Sequence, residues 1–180
     1  VDGHPKKQII DFTKDKGELT FYYKKNTANY TVNYYLEGTK EKVKPSTTGT
    51  AALRDTVYPP TEVTGYTLVP GQVTSLTIGK DENKNVLNLY YTKNNYEYTV
   101  NYFYDNVEDV EKRVKGSAPY QDTITYEDKA GKGYQLERVE PDTGSLTIGT
   151  NPDDNVINVY YKSRTTHVSY GIEGPGDLSY

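Results

Sequence analysis

A repeated pattern constrains this chain more than any other feature of its sequence. The motif Tyr-Thr-Val-Asn-Tyr at 30–34 returns at 98–102, and Ser-Leu-Thr-Ile-Gly at 75–79 returns at 145–149. The two offsets, 68 and 70 residues, differ because the segments between the motifs differ in length, and surface turns tolerate insertions well. Such repetition predicts duplicated small domains rather than one domain with a single large core.

The repeat also sets the expected domain organisation. Residues 19–23 match 87–91, which close a repeat, so the chain is expected to begin inside a preceding copy. The predicted order is the tail of a preceding repeat at 1–28, complete repeats at 29–95 and 96–163, and the start of a following module at 164–180. Because the chain begins without Met and has no signal peptide, we expect an internal piece of a longer protein.

Side-chain polarity alternates with a period of two, which is typical of β-strands with one buried face. In the first strand of the first repeat, Tyr30, Val32 and Tyr34 share one face, and Asn33 and Tyr35 share the other. No stretch predicts a convincing amphipathic helix. We therefore expect mainly β domains with the Val32 face turned inward.

A hairpin is predicted near the end of each repeat. In the first repeat, 75–79 and the segment from Val86 onward have strand patterns, and the polar segment 80–85 between them has the composition of a turn. Residues 149–155 have the same turn composition in the second repeat.

Composition indicates thin domains and excludes several classes of function. Hydrophobic residues make up only 34% of the chain, while tyrosine contributes 20 residues, a side chain that buries a ring and keeps its hydroxyl hydrated. Cysteine is absent, which excludes disulfides, thiolate nucleophiles and cysteine-ligated zinc. The net charge of −4 and the lack of a basic run argue against nucleic-acid binding, and no apolar run is long enough to span a membrane.

The ordered motifs resemble a known family, the MucBP (mucin-binding protein) repeats of Gram-positive cell-surface adhesins. The resemblance covers 29–163 and rests on the opening Tyr-Thr-Val-Asn-Tyr, a central Asp-Thr-Val/Ile, Gly-Tyr-x-Leu and a closing Val-x-Asn-x-Tyr-Tyr. Residues 167–174 look instead like the start of a different module. The resemblance implies β-grasp-like, ubiquitin-related domains arranged end to end, an extracellular protein anchored to the cell wall, and in some members adhesion to mucin glycans.

A candidate glycan-binding surface follows from the strand alternation. In a β-grasp sheet the first and last strands are neighbours, so their outward rings and amides would form one patch. The candidates are Asn33, Tyr35, Asn88 and Tyr90 in the first repeat and Asn101, Phe103, Asn158 and Tyr160 in the second. Rings offer flat apolar faces and amides offer a donor and an acceptor, which together suit sugars. The alternative is that these residues are ordinary cross-strand pairs that stabilise a thin sheet.

The two repeats differ in charge. Residues 29–95 contain seven basic and six acidic residues, a net charge of +1, whereas 96–163 contain seven and thirteen, a net charge of −6. Sialylated or sulfated mucin chains would therefore favour the first repeat. A solvated acidic surface on the second repeat is the alternative interpretation.

Neither catalytic nor metal-binding motifs emerge. The only histidines, His4 and His167, lie outside the complete repeats and lack an Asp or Ser partner in a recognisable setting. Acidic segments at 81–85, 105–109 and 151–155 are candidates for calcium, but none has the EF-hand spacing, and Asp and Asn are also the residues that turns prefer. A Lys–Asn isopeptide bond is a further alternative that no pattern marks.

The sequence thus predicts a non-enzymatic segment of a bacterial adhesin, without cofactor or metal. Its expected partners are mucin or other host glycoprotein glycans, bound weakly and multivalently, and neighbouring repeats of the same chain. The competing hypothesis is a purely structural spacer with no ligand of its own.

Overall fold

The computed structural model describes residues 20–165 and Gly171. The described residues leave out most of the predicted tail of a preceding repeat, most of the module expected after the second repeat, and both histidines. The predicted mainly-β class is confirmed, because the described residues hold thirteen strands and only two one-turn 3₁₀ segments. Nowhere in this part of the chain is there a helix with the length and apolarity needed to cross a membrane. The chain divides between Lys93 and Asn94 into two compact units.

The first unit is a four-stranded mixed sheet with a small two-stranded ribbon. Its strands are β1 (Thr27–Leu36), β2 (Lys42–Ala52), β3 (Thr56–Val57), β4 (Tyr66–Leu68), β5 (Leu76–Thr77) and β6 (Val86–Lys93). The sheet order is β2-β1-β6-β4, and β3 pairs with β5 in the ribbon. Strands β1 and β6, the first and last of the unit, run parallel, and the remaining pairs are antiparallel.

The second unit repeats this order with one change. Its strands are β7 (Asn95–Tyr104), β8 (Val107–Glu108), β9 (Val114–Pro119), β10 (Thr123–Thr125), β11 (Tyr134–Glu140), β12 (Ser145–Thr147) and β13 (Val156–Ser163). Strand β13 lies parallel to β7 and carries β11 on its other edge, while β10 and β12 form the ribbon. Two short strands, β8 and β9, together take the place that β2 holds in the first unit.

The predicted strand faces are confirmed in both units. In the first unit Val32, Tyr34, Leu89 and Tyr91 are at most 1% exposed and pack together with Leu87. The equivalent buried cluster of the second unit consists of Val100, Tyr102, Ile157, Val159 and Tyr161. Each cluster contains only five buried side chains, a small core of the kind that the low hydrophobic content predicts.

A glycine that faces a tyrosine across two strands recurs in both units. Gly49 on β2 lies directly opposite Tyr30 on β1, and a methyl group at Gly49 would overlap the Tyr30 ring. Gly116 faces Tyr98 in the same way, with the place of a methyl group 2.7 Å from the ring. In each pair the tyrosine ring covers the glycine backbone and occupies the space that a side chain would otherwise fill.

The predicted hairpin near the end of each repeat is wrong. Strand β5 pairs with β3 and β12 pairs with β10, so the strands on the two sides of each polar turn belong to different sheets. The turn contains a 3₁₀ segment, Glu82–Lys84, and then the buried side chain of Asn85. The Asn85 side-chain amide accepts from the Gly79 N–H at 2.9 Å and donates to the Gly79 carbonyl at 2.8 Å. A side chain therefore joins the two ends of the turn, where a hairpin would have backbone hydrogen bonds between its strands.

Candidate functional site

The parallel pairing of β1 and β6 brings the four candidate residues of the first unit together. It places Asn33 opposite Asn88 and Tyr35 opposite Tyr90. The Asn33 Nδ2 donates to Asn88 Oδ1 at 2.9 Å, and the two tyrosine rings lie 6.1 Å apart between centroids with a tilt of 30°. These four side chains, called the first-unit patch below, lie on the face of the sheet opposite the core.

Strand β2 adds a cation beside the first-unit patch. Lys42 pairs with Tyr35 across the strands, and its ammonium donates to Ser46 Oγ at 2.8 Å. Ser46 Oγ in turn donates to Asn33 Oδ1 at 2.5 Å, so hydrogen bonds connect the ammonium to the amide pair. Sequence alternation missed Lys42 because the β1–β2 register shifts on both sides of Tyr34, and such bulges change which residues share a face.

Tyr90 stays accessible because the strand beside it ends early. Strand β4 stops at Leu68, shortly before Pro70, which cannot donate to a ladder. In place of a strand, the Gln72 side-chain amide accepts from the Tyr90 N–H at 2.9 Å and donates to the Tyr90 carbonyl at 2.8 Å. Both backbone groups of Tyr90 are thereby hydrogen-bonded without a neighbouring strand, and the residue is 38% exposed.

The candidate residues of the second unit also meet, in a tighter arrangement. Asn101 Nδ2 donates to Asn158 Oδ1 at 3.0 Å, matching the amide pair of the first unit. Phe103 and Tyr160 stack with centroids 4.6 Å apart and planes 14° from parallel. These four side chains form the second-unit patch.

Arg138 covers the second-unit patch from the neighbouring strand. Strand β11 continues to Glu140, and Arg138 pairs with Tyr160, so its guanidinium carbon lies 3.6 Å from the ring centroid. Glu137 and Glu140 hold the guanidinium at 3.1 and 3.2 Å, and the Tyr160 hydroxyl donates to Glu140 at 3.3 Å. Since β13 lies between β7 and β11, the Tyr160 ring has Phe103 on one side and Arg138 on the other. The second-unit patch therefore offers less free aromatic surface than the first.

An open hollow of about 480 Å³ is a feature of the second unit that the sequence did not predict. It lies beside the β7–β8 turn, and its walls include Tyr104, Tyr134 and Lys112. Tyr104 meets Tyr134 edge to face at 5.0 Å, and the Lys112 ammonium lies 3.9 Å from the Tyr104 centroid. The interaction with Tyr104 raises the pKa of Lys112. The sequence feature that could have indicated this hollow is the pair Val107 and Val110, two apolar residues within an acidic segment, and both are exposed in the structure.

The hydroxyl groups of the buried tyrosines form hydrogen bonds with loop residues of their own unit. Tyr91 donates its hydroxyl to the Thr61 carbonyl at 2.6 Å, and Tyr102 donates to the Glu127 carbonyl at 2.9 Å. Tyr161 donates to Asp128 Oδ1 at 2.7 Å and accepts from the Lys129 N–H at 2.7 Å. These bonds attach loop residues to the core of each unit.

Burial and hydrogen bonding shift the pKa values of this buried set. Burial, with a smaller effect from Tyr34, raises the pKa of Tyr91 from 10.0 to about 12. Burial also raises the pKa values of Tyr102 and Tyr161. The hydrogen bond from Tyr161 lowers the pKa of Asp128 below its ordinary value.

These shifts predict that the protein loses stability in alkali. Because the pKa of Tyr91 is higher in the folded state than in the unfolded chain, its contribution is complete below pH 10 and is lost as the pH rises toward about 12. The free energy of unfolding, measured by denaturant titration across this range, should fall with pH. Tyr91→Phe removes the ionisable group and should make that fall shallower; an identical pH dependence in the variant would contradict the assignment.

The acidic segments considered for calcium are occupied by turn interactions. Asp81 accepts from the Asn83 N–H at 3.1 Å, and Asn151 accepts from the Asp153 N–H at 3.2 Å, each capping a 3₁₀ segment. Asp105 has a positive φ of 50° and accepts from the Ser163 N–H at 2.8 Å. Among the described residues no group of three or more His, Cys, Asp or Glu side chains is placed to hold a metal ion.

Comparison with known proteins adds no family to this description. No protein-family model matches the chain, and no curated protein matches it. The resemblance to MucBP repeats therefore stays a prediction from the order and spacing of the motifs.

Proposed function

We propose that the chain is a non-catalytic segment of a cell-wall-anchored surface adhesin from a Gram-positive bacterium. In this proposal its two units are tandem MucBP-like, β-grasp-like repeats that extend a stalk, and the first of them binds mucin glycans weakly. The parallel pairing of first and last strands in each unit supports the β-grasp assignment. The repeated sequence and the matching strand orders support the tandem arrangement.

The first-unit patch is the observation that carries the binding role. Tyr35 and Tyr90 present neighbouring rings next to an amide pair, and Tyr90 is more than one-third exposed. A sugar ring stacks its C–H face on an aromatic ring, and amides bond its hydroxyl groups as donors and acceptors. A shallow patch of this kind gives a weak single site, and linked copies on a stalk raise the avidity by roughly 10²–10⁴.

A pure spacer is the second candidate function, favoured by the second-unit patch. There the amides bond each other, the rings stack and Arg138 covers Tyr160, so the side chains are engaged within the sheet. Cross-strand pairs of this kind stabilise a sheet by roughly 0.2–1 kcal/mol each. Under this reading both patches serve stability alone.

Substitution of the two tyrosines separates these functions. In the full chain, Tyr35→Ser with Tyr90→Ser should abolish retention on immobilised mucin and lower the melting temperature only slightly, because both rings are already partly exposed. The matched control is Phe103→Ser with Tyr160→Ser, which should leave retention unchanged. Absence of retention by the unmodified chain, together with a clear fall in melting temperature in the first variant, would favour the spacer.

A further inference from the structure

The two patches carry opposite charges at the same position of the sheet. In the first unit Tyr35 pairs across the strands with Lys42. In the second unit the equivalent ring, Phe103, pairs with Glu108. Cross-strand partners lie on the same face of a sheet, so each charge stands beside its patch.

The two charges also differ in how they are neutralised. In the described part of the chain the Lys42 ammonium is bonded to a hydroxyl, Ser46 Oγ, rather than to a carboxylate. Glu108 instead forms an ion pair with Arg113, whose Nε donates to it at 2.8 Å. The first-unit patch therefore has an available cation, whereas the equivalent charge of the second unit is already paired.

Two further observations favour anion binding at the first-unit patch over the second-unit patch. The net charge is +1 over residues 29–95 and −6 over residues 96–163, so the field at the first-unit patch is more favourable to an anion. In the second unit the only cation over the patch, within the described residues, is Arg138, which Glu137 and Glu140 hold. A bound anion would have to compete with those two carboxylates.

We propose that the first-unit patch binds saccharides that carry an anionic substituent, a carboxylate or a sulfate ester, and that the second-unit patch does not. The sugar ring lies against Tyr35 and Tyr90, and the anionic group meets the Lys42 ammonium. This inference rests on the proposed glycan-binding function and specifies its ligand class and its location. The amide pair Asn33–Asn88 supplies bonds to sugar hydroxyls in any saccharide, so the charge selectivity depends on Lys42.

The test compares three oligosaccharides with a common neutral core, one unmodified, one sialylated and one sulfated. Binding to the full chain is measured by ligand-observed NMR at low ionic strength and again at high salt. The best acidic ligand should bind about fivefold more tightly than the neutral one, the upper range for one exposed ion pair, and high salt should remove the difference.

Charge-reversal variants locate the effect. Lys42→Glu should reduce binding of the acidic ligand to the neutral level or below, while Lys80→Glu, the same charge change in the 80–85 turn, should retain the preference. Preference for only the sialylated or only the sulfated ligand would support the inference and identify which anionic group the first-unit patch binds. Equal binding of all three ligands, or an acidic preference that survives Lys42→Glu, would overturn this inference and leave the proposed function standing. Binding of none of them would overturn both.

Discussion

Tyr91→Ala is expected to lower the free energy of unfolding of the first unit by about 3–5 kcal/mol. Tyr91 is fully buried, contacts Tyr34 with ring centroids 6.3 Å apart and donates its hydroxyl to the Thr61 carbonyl. The substitution removes a whole ring from a thin core and leaves that carbonyl without its partner, so both losses act together. Denaturant unfolding of the full chain, followed by tyrosine fluorescence and circular dichroism, measures the change.

The neighbouring residue provides a matched control for this prediction. Tyr90→Ala removes the same side chain from the opposite face of the same strand, where the residue is 38% exposed. Its cost should stay near 1 kcal/mol, the upper range of a cross-strand pair. Equal costs for the two variants would show that the sheet buries both faces alike, which would remove the free surface that binding requires.

Asn85→Ala is expected to destabilise the first unit by about 3 kcal/mol, although it removes no apolar surface. The Asn85 side chain is 2% exposed and bonds the N–H and carbonyl of Gly79 and the carbonyl of Asn29. Alanine removes all three hydrogen bonds at once, and each such bond contributes about 0.5–1.5 kcal/mol net to stability. Equilibrium unfolding of the variant full chain measures the loss.

Two comparisons make the Asn85 prediction specific. Asn155 makes the same three bonds in the second unit, to Gly149 and Glu97, so Asn155→Ala should destabilise that unit to a similar extent. Asn88 is exposed, and its side chain bonds Asn33 on the surface, so Asn88→Ala should cost well under 1 kcal/mol. A small effect of Asn85→Ala would mean that water or a local shift of the turn replaces its bonds.

The sequence was sufficient for the parts of the fold that depend on local alternation. A period of two in 30–35 correctly placed Val32 and Tyr34 inside and Tyr35 outside, because burial of one sheet face fixes the parity of the whole strand. The expectation that the first and last strands are neighbours came from the resemblance to MucBP repeats. Their parallel pairing in register then brings Asn33 to Asn88 and Tyr35 to Tyr90. Repetition then extended both results to the second unit.

The features that the sequence could not provide depend on contacts between distant segments. The hairpin prediction failed because a polar turn between two strand patterns does not specify which strands pair, and here the Asn85 side chain closes the turn. Lys42 was missed because a bulge shifts the register of its strand. Gln72 and Arg138 were missed because the strand beside Tyr90 ends at Leu68 and the strand beside Tyr160 continues to Glu140. Beyond the end of the short strand Gln72 bonds the Tyr90 backbone, whereas Arg138 lies on the longer strand and covers Tyr160.

Backbone amide NMR of the full chain, titrated with acidic and neutral mucin-type oligosaccharides, tests the binding role most directly. The proposed function predicts that shift changes concentrate at Asn33, Tyr35, Asn88 and Tyr90, with Lys42 responding to the acidic ligand. Residues of the second-unit patch should change little. Saturating shifts centred instead on the hollow around Tyr104 and Lys112, or no shifts anywhere at millimolar ligand, would contradict it.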